Sequence, residues 1–168
     1  KHSVVGNCNG FTMQERWNTE TPAFADAILR RLKSKDTVVV DYGCGVGRLA
    51  KEILSKAPGV SIVGLDASQD ELKLAREYIN DSRFTTLLPH ELAHKVDLIY
   101  CVYVLQHIPA IELREALQRI HHYLNDDGVF VYCSSDYRMA INASGGFTDD
   151  RHFGVDIRQE IARYFDEV

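Results

Sequence analysis

The chain of 168 residues is long enough for one domain with a substantial core, and its 45% hydrophobic and 26% charged residues are ordinary for a globular protein. The net charge of -5 excludes a global field that would attract nucleic acid or an anionic membrane surface. None of the four cysteines forms a C-x-x-C pair, which leaves zinc and thioredoxin-like sites without support, and no apolar stretch is long enough to span a bilayer.

The sequence predicts a single domain over residues 1–168, with an N-terminal arm at about residues 1–20. Cys101 and Cys133 lie in apolar runs that are typical of reduced, buried cysteines. These cysteines indicate a reducing setting, so we expect a cytoplasmic protein, and no signal peptide is visible. The chain begins at Lys1 without a methionine, and we expect its natural start to lie upstream.

Helix and strand patterns alternate through the first half of the chain. Thr21-Pro22 combines a capping hydroxyl with a proline at the first helical position, which predicts a helix to about Leu32. Ser68 and Glu71 form a capping box that predicts the start of a later helix. The other elements predicted here are a strand over 37–42, a helix over 46–57 and a strand over 60–65.

The second half continues the alternation and fixes the predicted fold class. It contains a weaker strand over 83–88, a strongly apolar strand over 96–104, a helix from Pro109 to about Leu124, a strand over 129–134 after an Asp-Asp-Gly turn, and a helix near 155–165. Apolar strands that alternate with amphipathic helices indicate an α/β, doubly wound, mostly parallel sheet with helices on both faces.

The segment VVVDYGCGVGRLA, residues 38–50, contains glycine at every second position after the first predicted strand. Ligands of doubly wound sheets bind outside the carboxyl ends of the strands, where this loop lies. The N–H groups at the start of the following helix favour negative charge at the same place. The loop is therefore a candidate ligand-binding site.

Two acids narrow the class of ligand. A G-x-G-x-x-G dinucleotide motif that starts at Gly43 would have its third glycine at position 48. Here the third glycine is Gly47, one residue earlier, and position 48 is Arg48. Asp41, just before the loop, would repel a pyrophosphate but suits an ammonium group. Asp66 ends the second strand in GLDAS, where it can accept the hydroxyls of a ribose. A nucleoside joined to an amino acid meets both demands, and S-adenosylmethionine is such a molecule.

Three segments of the sequence resemble the class I S-adenosylmethionine-dependent methyltransferases: DYGCGVGRLA, GLDAS and VDLIYCVYVLQHI at 96–108. The resemblance covers about residues 20–135 and implies a Rossmann-like methyltransferase fold. The family usually adds two further strands, for which too few residues follow Phe165. We therefore expect either a truncated chain, whose last two strands are missing, or a fold that stops at five strands.

The resemblance also implies roles for individual residues. Asp66 would bind the ribose, Ala67 would lie beside the adenine, and Val102 near the sulfonium. Many members place Asp or Asn after the third strand to meet the adenine amino group, but this chain has Leu88-Pro89-His90-Glu91 there. Leu88 through its backbone, or Glu91 through its side chain, is the alternative contact. The residues expected around the methionine end are Asp41, Gly43, Cys44, Gly45 and Gly47.

Other residues have a functional and a purely structural interpretation. His107 follows the fourth strand and could act as a base, or could only order the strand end. Trp17 could close over the cofactor, or could pack the arm onto the core. Arg48 could reach the cofactor carboxylate or lie at the surface. His90 and His94 have a helical metal-ligand spacing, but a third ligand is missing, so we expect no metal.

The sequence favours a small-molecule methyl acceptor. It has neither an Asn/Asp-Pro-Pro-Tyr motif nor a Pro-Cys pair, and it has no basic stripe with interleaved aromatic residues, so we expect no nucleic-acid partner. Because no apolar stretch could span a bilayer, we also expect no membrane insertion. The alternatives are a non-catalytic protein that binds S-adenosylmethionine, an NAD-dependent oxidoreductase, and an aminopropyl transferase. The atom that is methylated and the oligomeric state stay open.

Overall fold

A single parallel sheet organises the computed structural model, which describes residues 13–134 and 156–166. Its five strands lie in the order β3-β2-β1-β4-β5, and each neighbouring pair is parallel. The predicted doubly wound fold is confirmed. The strands are β1 Thr37–Tyr42, β2 Val60–Leu65, β3 Phe84–Leu87, β4 Val96–Val102 and β5 Leu124–Cys133.

Helices cover both faces of the sheet. The helices are α1 Met13–Leu29, α2 Arg48–Lys56, α3 Gln69–Ile79, α4 Ala110–Tyr123 and α5 Ile157–Ile161, with a 3-10 turn at Leu105–His107. The first three pack on one face through residues such as Ile28, Ile53 and Ala75. On the other face, α4 packs through Leu117 and α5 through Ile161. Within the described ranges, no helix has both the length and the apolar character needed to cross a membrane.

The first helix starts earlier than the sequence predicts. It begins at Met13 and runs through Pro22, so residues 13–20 of the predicted N-terminal arm are helical. Thr21 is not the N-cap, because its hydroxyl donates to the carbonyl oxygen of Trp17, one turn earlier. The Thr-Pro pair resembles a helix start locally, but the helix continues through it.

The last strand also starts earlier than predicted. Leu124 already pairs with Val96, and Val129 pairs with Leu98, so residues 125–128 form an irregularity opposite a single residue of β4. The Asp-Asp-Gly turn lies inside this irregularity. The side-chain amide of Asn125 donates to the Asp97 carboxylate over 2.7 Å and links the two strands there.

The strand order reverses between β1 and β4, because β1 is followed by β2 on one side and has β4 on the other. The chain therefore leaves β1 and β4 in opposite directions, and a crevice forms at their carboxyl ends. The glycine loop, which follows β1, lies at this point. The fold thus places the predicted ligand-binding loop where ligands of such sheets bind.

Candidate functional site

Asp41 lies near the carboxyl end of β1 and is only 5% exposed. In the ladder its partners are Gly64 on β2 and Tyr100 on β4. The β2 neighbour has no side chain, and the space beside it is filled by the Cys44 sulfur and the Phe84 ring. The Asp41 carboxyl group therefore lies in an apolar setting with one polar neighbour in the sheet, Tyr100.

The environment of Asp41 makes this carboxyl group hard to ionise. Burial raises the pKa of Asp41 to about 7, and the nearby Asp66 carboxylate acts in the same direction. The Tyr100 hydroxyl and the Arg48 guanidinium act against this rise in pKa. Tyr100 is the ladder partner of Asp41 and its hydroxyl acts on the carboxyl group, but without the geometry of an ordinary hydrogen bond. A cation bound here would stabilise the ionised form of Asp41.

The three glycines of the loop share a left-handed backbone but differ in what lies beside them. Their φ angles are 77°, 50° and 78° at Gly43, Gly45 and Gly47. A Cβ at Gly43 would lie 2.4 Å from a methyl group of Val104, and one at Gly47 would lie 2.5 Å from the Cδ1 of Ile79. A Cβ at Gly45 would meet no atom within 4 Å. Gly45 is thus the one of these glycines that leaves bare backbone open to a ligand.

Asp66 joins the loop to the end of β2. One carboxylate oxygen accepts from the Gly45 amide and the other from the Ser68 amide, both at 2.9 Å. The amides of Gly43 and Cys44 donate to the carbonyl oxygen of Leu65, at 2.7 and 3.0 Å. The structure therefore brings the two predicted acids to the same loop, and protein acceptors take up its first three amides.

The residues predicted to surround the adenine lie at the ends of neighbouring strands. Ala67 is exposed at the start of α3, beside Asp66, and the Asp66 amide approaches the carbonyl oxygen of Leu87 at 3.4 Å. Leu88 donates its amide to a carboxylate oxygen of Glu91 at 2.7 Å and accepts from the Glu91 amide at 2.9 Å. The two alternative adenine contacts thus bind each other.

The end of β4 contains a feature that the sequence did not reveal. Tyr103 follows Val102 with a φ of 59°, which costs about 1–3 kcal/mol for a residue with a side chain. Its amide donates to the Cys133 carbonyl oxygen at 2.7 Å, and the Phe24 ring packs edge-on against its ring, with 5.7 Å between centroids. Helix α1 therefore contacts the β4 end directly.

Two predicted residues lie on the outer parts of the molecule. His107 ends the 3-10 turn and is exposed, and its amide donates to the Val104 carbonyl oxygen at 2.8 Å. Trp17 lies on α1 and is 38% exposed. Arg48 holds this part of α1, because its guanidinium lies 5.2 Å from the Trp17 ring centroid and donates to the Thr21 hydroxyl.

The same region of α1 borders a groove of about 700 Å³ between α1, α2 and α3. Its lining includes Trp17, Arg48 and Tyr78, and it reaches the glycine loop at Val46. Across the described ranges, no three His, Cys, Asp or Glu side chains are close enough together to hold a metal ion. The site is thus built from two acids, an open glycine and the β4 end.

Comparison with known proteins identifies the family. Residues 40–130, which include the loop, both acids and β4, match a family model described as a methyltransferase domain. The chain belongs to this methyltransferase-domain family. The match covers more than half of the chain, and the predicted family resemblance is confirmed.

The relatives of this methyltransferase-domain chain are longer proteins. A trans-aconitate 2-methyltransferase of Variovorax paradoxus is 30% identical over 132 residues, which are 75% of this chain and 49% of that protein. A carboxy-S-adenosyl-L-methionine synthase of a Nitratiruptor species is 28% identical over 115 residues, 64% of this chain and 47% of that protein. The chain thus spans about half the length of the curated relatives it matches.

A solved structure supports the same architecture. An amino pentose methyltransferase from Micromonospora echinaspora, solved with S-adenosylmethionine bound, aligns with a TM-score of 0.58 at 23% identity. The alignment covers 71% of this chain and 51% of that protein. At this identity the likeness establishes the fold.

Proposed function

We propose that the chain is the cofactor-binding part of an S-adenosylmethionine-dependent methyltransferase that acts on a small molecule. The observation that carries this proposal is the loop itself. Asp41 is buried at the end of β1. Asp66 accepts from the amide of Gly45, where a Cβ would meet no atom within 4 Å. The family membership of residues 40–130 supports the same function.

The two acids suit the two ends of S-adenosylmethionine. Asp41 would pair with the ammonium group, and burial of the pair would strengthen their attraction. Asp66 would accept from the ribose hydroxyls, for which a carboxylate has about four lone-pair positions, two of them used by Gly45 and Ser68. Ala67 and Leu88 would line the adenine, and Gly43, Cys44 and Gly47 would shape the loop.

The bound cofactor would supply an electrophilic methyl group, and the protein would supply position and charge. Val102 and the strained Tyr103 at the end of β4 are the residues we place next to the acceptor side. Correct positioning alone contributes about 7–11 kcal/mol to such reactions. His107 is the proposed base for an acceptor that must lose a proton. Trp17, which lines the groove beside the glycine loop, would close over the cofactor.

A small-molecule acceptor is favoured by the names of the relatives. One is a trans-aconitate 2-methyltransferase and another a carboxy-S-adenosyl-L-methionine synthase. The acidic net charge of -5 also disfavours a nucleic-acid acceptor.

Binding of S-adenosylhomocysteine, measured by calorimetry, tests the proposed function. We expect Asp66→Ala to lower the affinity at least about tenfold, because a hydrogen bond to a charged group contributes about 1.5–3 kcal/mol. Asp70→Ala is the matched control, since Asp70 is an exposed acid in the first turn of α3. Equal affinity in both variants would contradict the proposed binding of the ribose by Asp66.

Thermal shift and a turnover assay separate the proposed function from an oxidoreductase and from a non-catalytic binding protein. S-adenosylhomocysteine should raise the melting temperature of the unmodified chain, and NADH should not. Stabilisation by NADH alone would point to an oxidoreductase. Binding without formation of S-adenosylhomocysteine from S-adenosylmethionine, across a pool of small acids and amines, would point to a non-catalytic binding protein.

A further inference from the structure

Tyr100 is the polar side chain that the sheet places beside Asp41. The two residues are direct partners in the β1–β4 ladder, on the face covered by α1, α2 and α3. On the other side Asp41 faces Gly64, and the Cys44 sulfur and the Phe84 ring fill that space. A hydrogen bond to the Asp41 carboxylate from within the sheet can therefore come from Tyr100.

The Tyr100 hydroxyl is available as a donor. Tyr100 is fully buried, and its hydroxyl has no hydrogen-bond partner of ordinary geometry within the described part of the chain. Burial, together with the Asp41 carboxylate, raises the pKa of Tyr100 well above its usual value, so the hydroxyl keeps its proton. A buried hydroxyl without a partner is costly, which favours a small movement that lets it donate to Asp41.

Several groups decide whether Asp41 is ionised. Burial and Asp66 favour the neutral acid, whereas Tyr100 and Arg48 favour the carboxylate. Arg48 acts on Asp41 through its charge, while its guanidinium donates to Thr21 on α1. The remaining titratable neighbours, the thiols of Cys44 and Cys101, stay neutral because burial raises their pKa values. Tyr100 is therefore the group that can stabilise the charge at short range.

We propose that Tyr100 is a positioning residue for cofactor binding, whose hydroxyl donates to the Asp41 carboxylate and keeps it ionised for the ammonium group. This inference rests on the proposed function, because the ammonium group belongs to S-adenosylmethionine. The role differs from a structural one in a measurable way. Loss of the hydroxyl should change the pH at which Asp41 ionises, and so weaken binding most strongly at low pH.

Tyr100→Phe tests the proposal with two measurements. The first is a carbon-13 NMR titration of the Asp41 carboxyl group in the ligand-free protein, where we expect its pKa to rise by about one unit. The second is the affinity for S-adenosylhomocysteine between pH 6 and pH 9. We expect a loss of about tenfold below the pKa of Asp41 and little loss at pH 9, where the carboxyl group is ionised in both proteins.

Tyr42→Phe is the matched control. It removes the hydroxyl of another buried tyrosine on the opposite face of the same sheet, and both readouts should stay unchanged. Asp41→Asn gives an independent check, because its affinity should be weak and independent of pH, and Tyr100→Phe should add no further loss to it.

The outcomes separate this inference from the proposed function. An unchanged Asp41 titration in Tyr100→Phe, or a loss of affinity that is equal at every pH, would overturn the role of Tyr100. A wild-type protein that does not bind S-adenosylhomocysteine at any pH would overturn the proposed function. The NMR titration would still decide whether Tyr100 holds Asp41 ionised.

Discussion

The glycines in the loop after β1 occupy their positions for different physical reasons. Gly43 and Gly45 both have positive φ angles, yet Gly43 faces the Val104 side chain and Gly45 faces open space. An alternating glycine motif is easily attributed to one ligand that lies along the whole loop. Here one glycine makes room for the protein's own side chain, and its neighbour leaves room for a ligand.

Gly43→Ala should therefore destabilise the protein more than Gly45→Ala. Each variant pays about 1–2 kcal/mol for the left-handed backbone, and the first adds about 1–3 kcal/mol for overlap with Val104. Urea unfolding measures the difference. Val104→Ala should recover part of the loss in the Gly43→Ala background and none in the Gly45→Ala background. Equal stability of the two glycine variants would contradict the assignment.

At the scale of elements, specific contacts hold α1 to the candidate site in addition to the core packing of residues such as Ile28. Arg48 at the start of α2 binds Trp17 and Thr21 of α1, and Phe24 of α1 packs on Tyr103 beyond β4. These contacts connect the first helix to both sides of the candidate site. Residues that follow β1 and β4 thus contribute to the position of α1.

Arg48→Met should loosen α1 while leaving the sheet intact. The loss of a hydrogen bond and a cation–π contact should lower the free energy of unfolding by about 1–2 kcal/mol. Hydrogen exchange should become faster in α1 and stay slow in β1. Lys51→Met is the matched control, because Lys51 lies on α2 but contacts Tyr78 of α3. Faster exchange in α3 rather than α1 after the Arg48 change would contradict this arrangement.

The order of elements could be predicted from local patterns, but some boundaries could not. Apolar runs and caps such as Ser68, whose hydroxyl accepts from the Glu71 amide, are signals within a few residues. The predicted start of α1 is wrong because Thr21-Pro22 has the composition of an N-cap. The Thr21 hydroxyl instead donates to the Trp17 carbonyl oxygen and accepts from Arg48. One deciding contact lies a single helical turn earlier, at Trp17, and the other lies 27 residues away, at Arg48.

The same limit applies to the candidate site. Asp41, Asp66 and the glycines could be found because the carboxyl ends of strands are predictable positions. The packing of Val104 on Gly43, the strain at Tyr103 and the pairing of Asp41 with Tyr100 depend on strand order and register. The sequence alone contains no local sign of these three features.

At the scale of the whole molecule, a buried acid makes stability depend on pH. The pKa of Asp41 is about 7 in the folded chain, against an ordinary value of 3.8. Between these values the folded state binds a proton that the unfolded state lacks. The stabilisation by this proton is therefore complete below about pH 4 and is lost as the pH rises through 7.

We expect the free energy of unfolding to fall by about 4 kcal/mol between pH 4 and pH 8 on account of Asp41. Asp41→Asn should remove this fall and should be more stable than the wild type at pH 8, although it binds the cofactor poorly. Urea unfolding at both pH values measures the effect, with Asp70→Asn as the exposed control. A fall of equal size in Asp41→Asn would assign the pH dependence to other groups.

The fit of Val104 against Gly43 has a mechanical consequence. The branched side chain of Val104 packs directly against the backbone of Gly43. It therefore leaves no free space between the segment after β4 and the loop after β1. A displacement of one segment must be shared by the other. Pressure from an acceptor on the first would thus be transmitted to the second without any intervening helix.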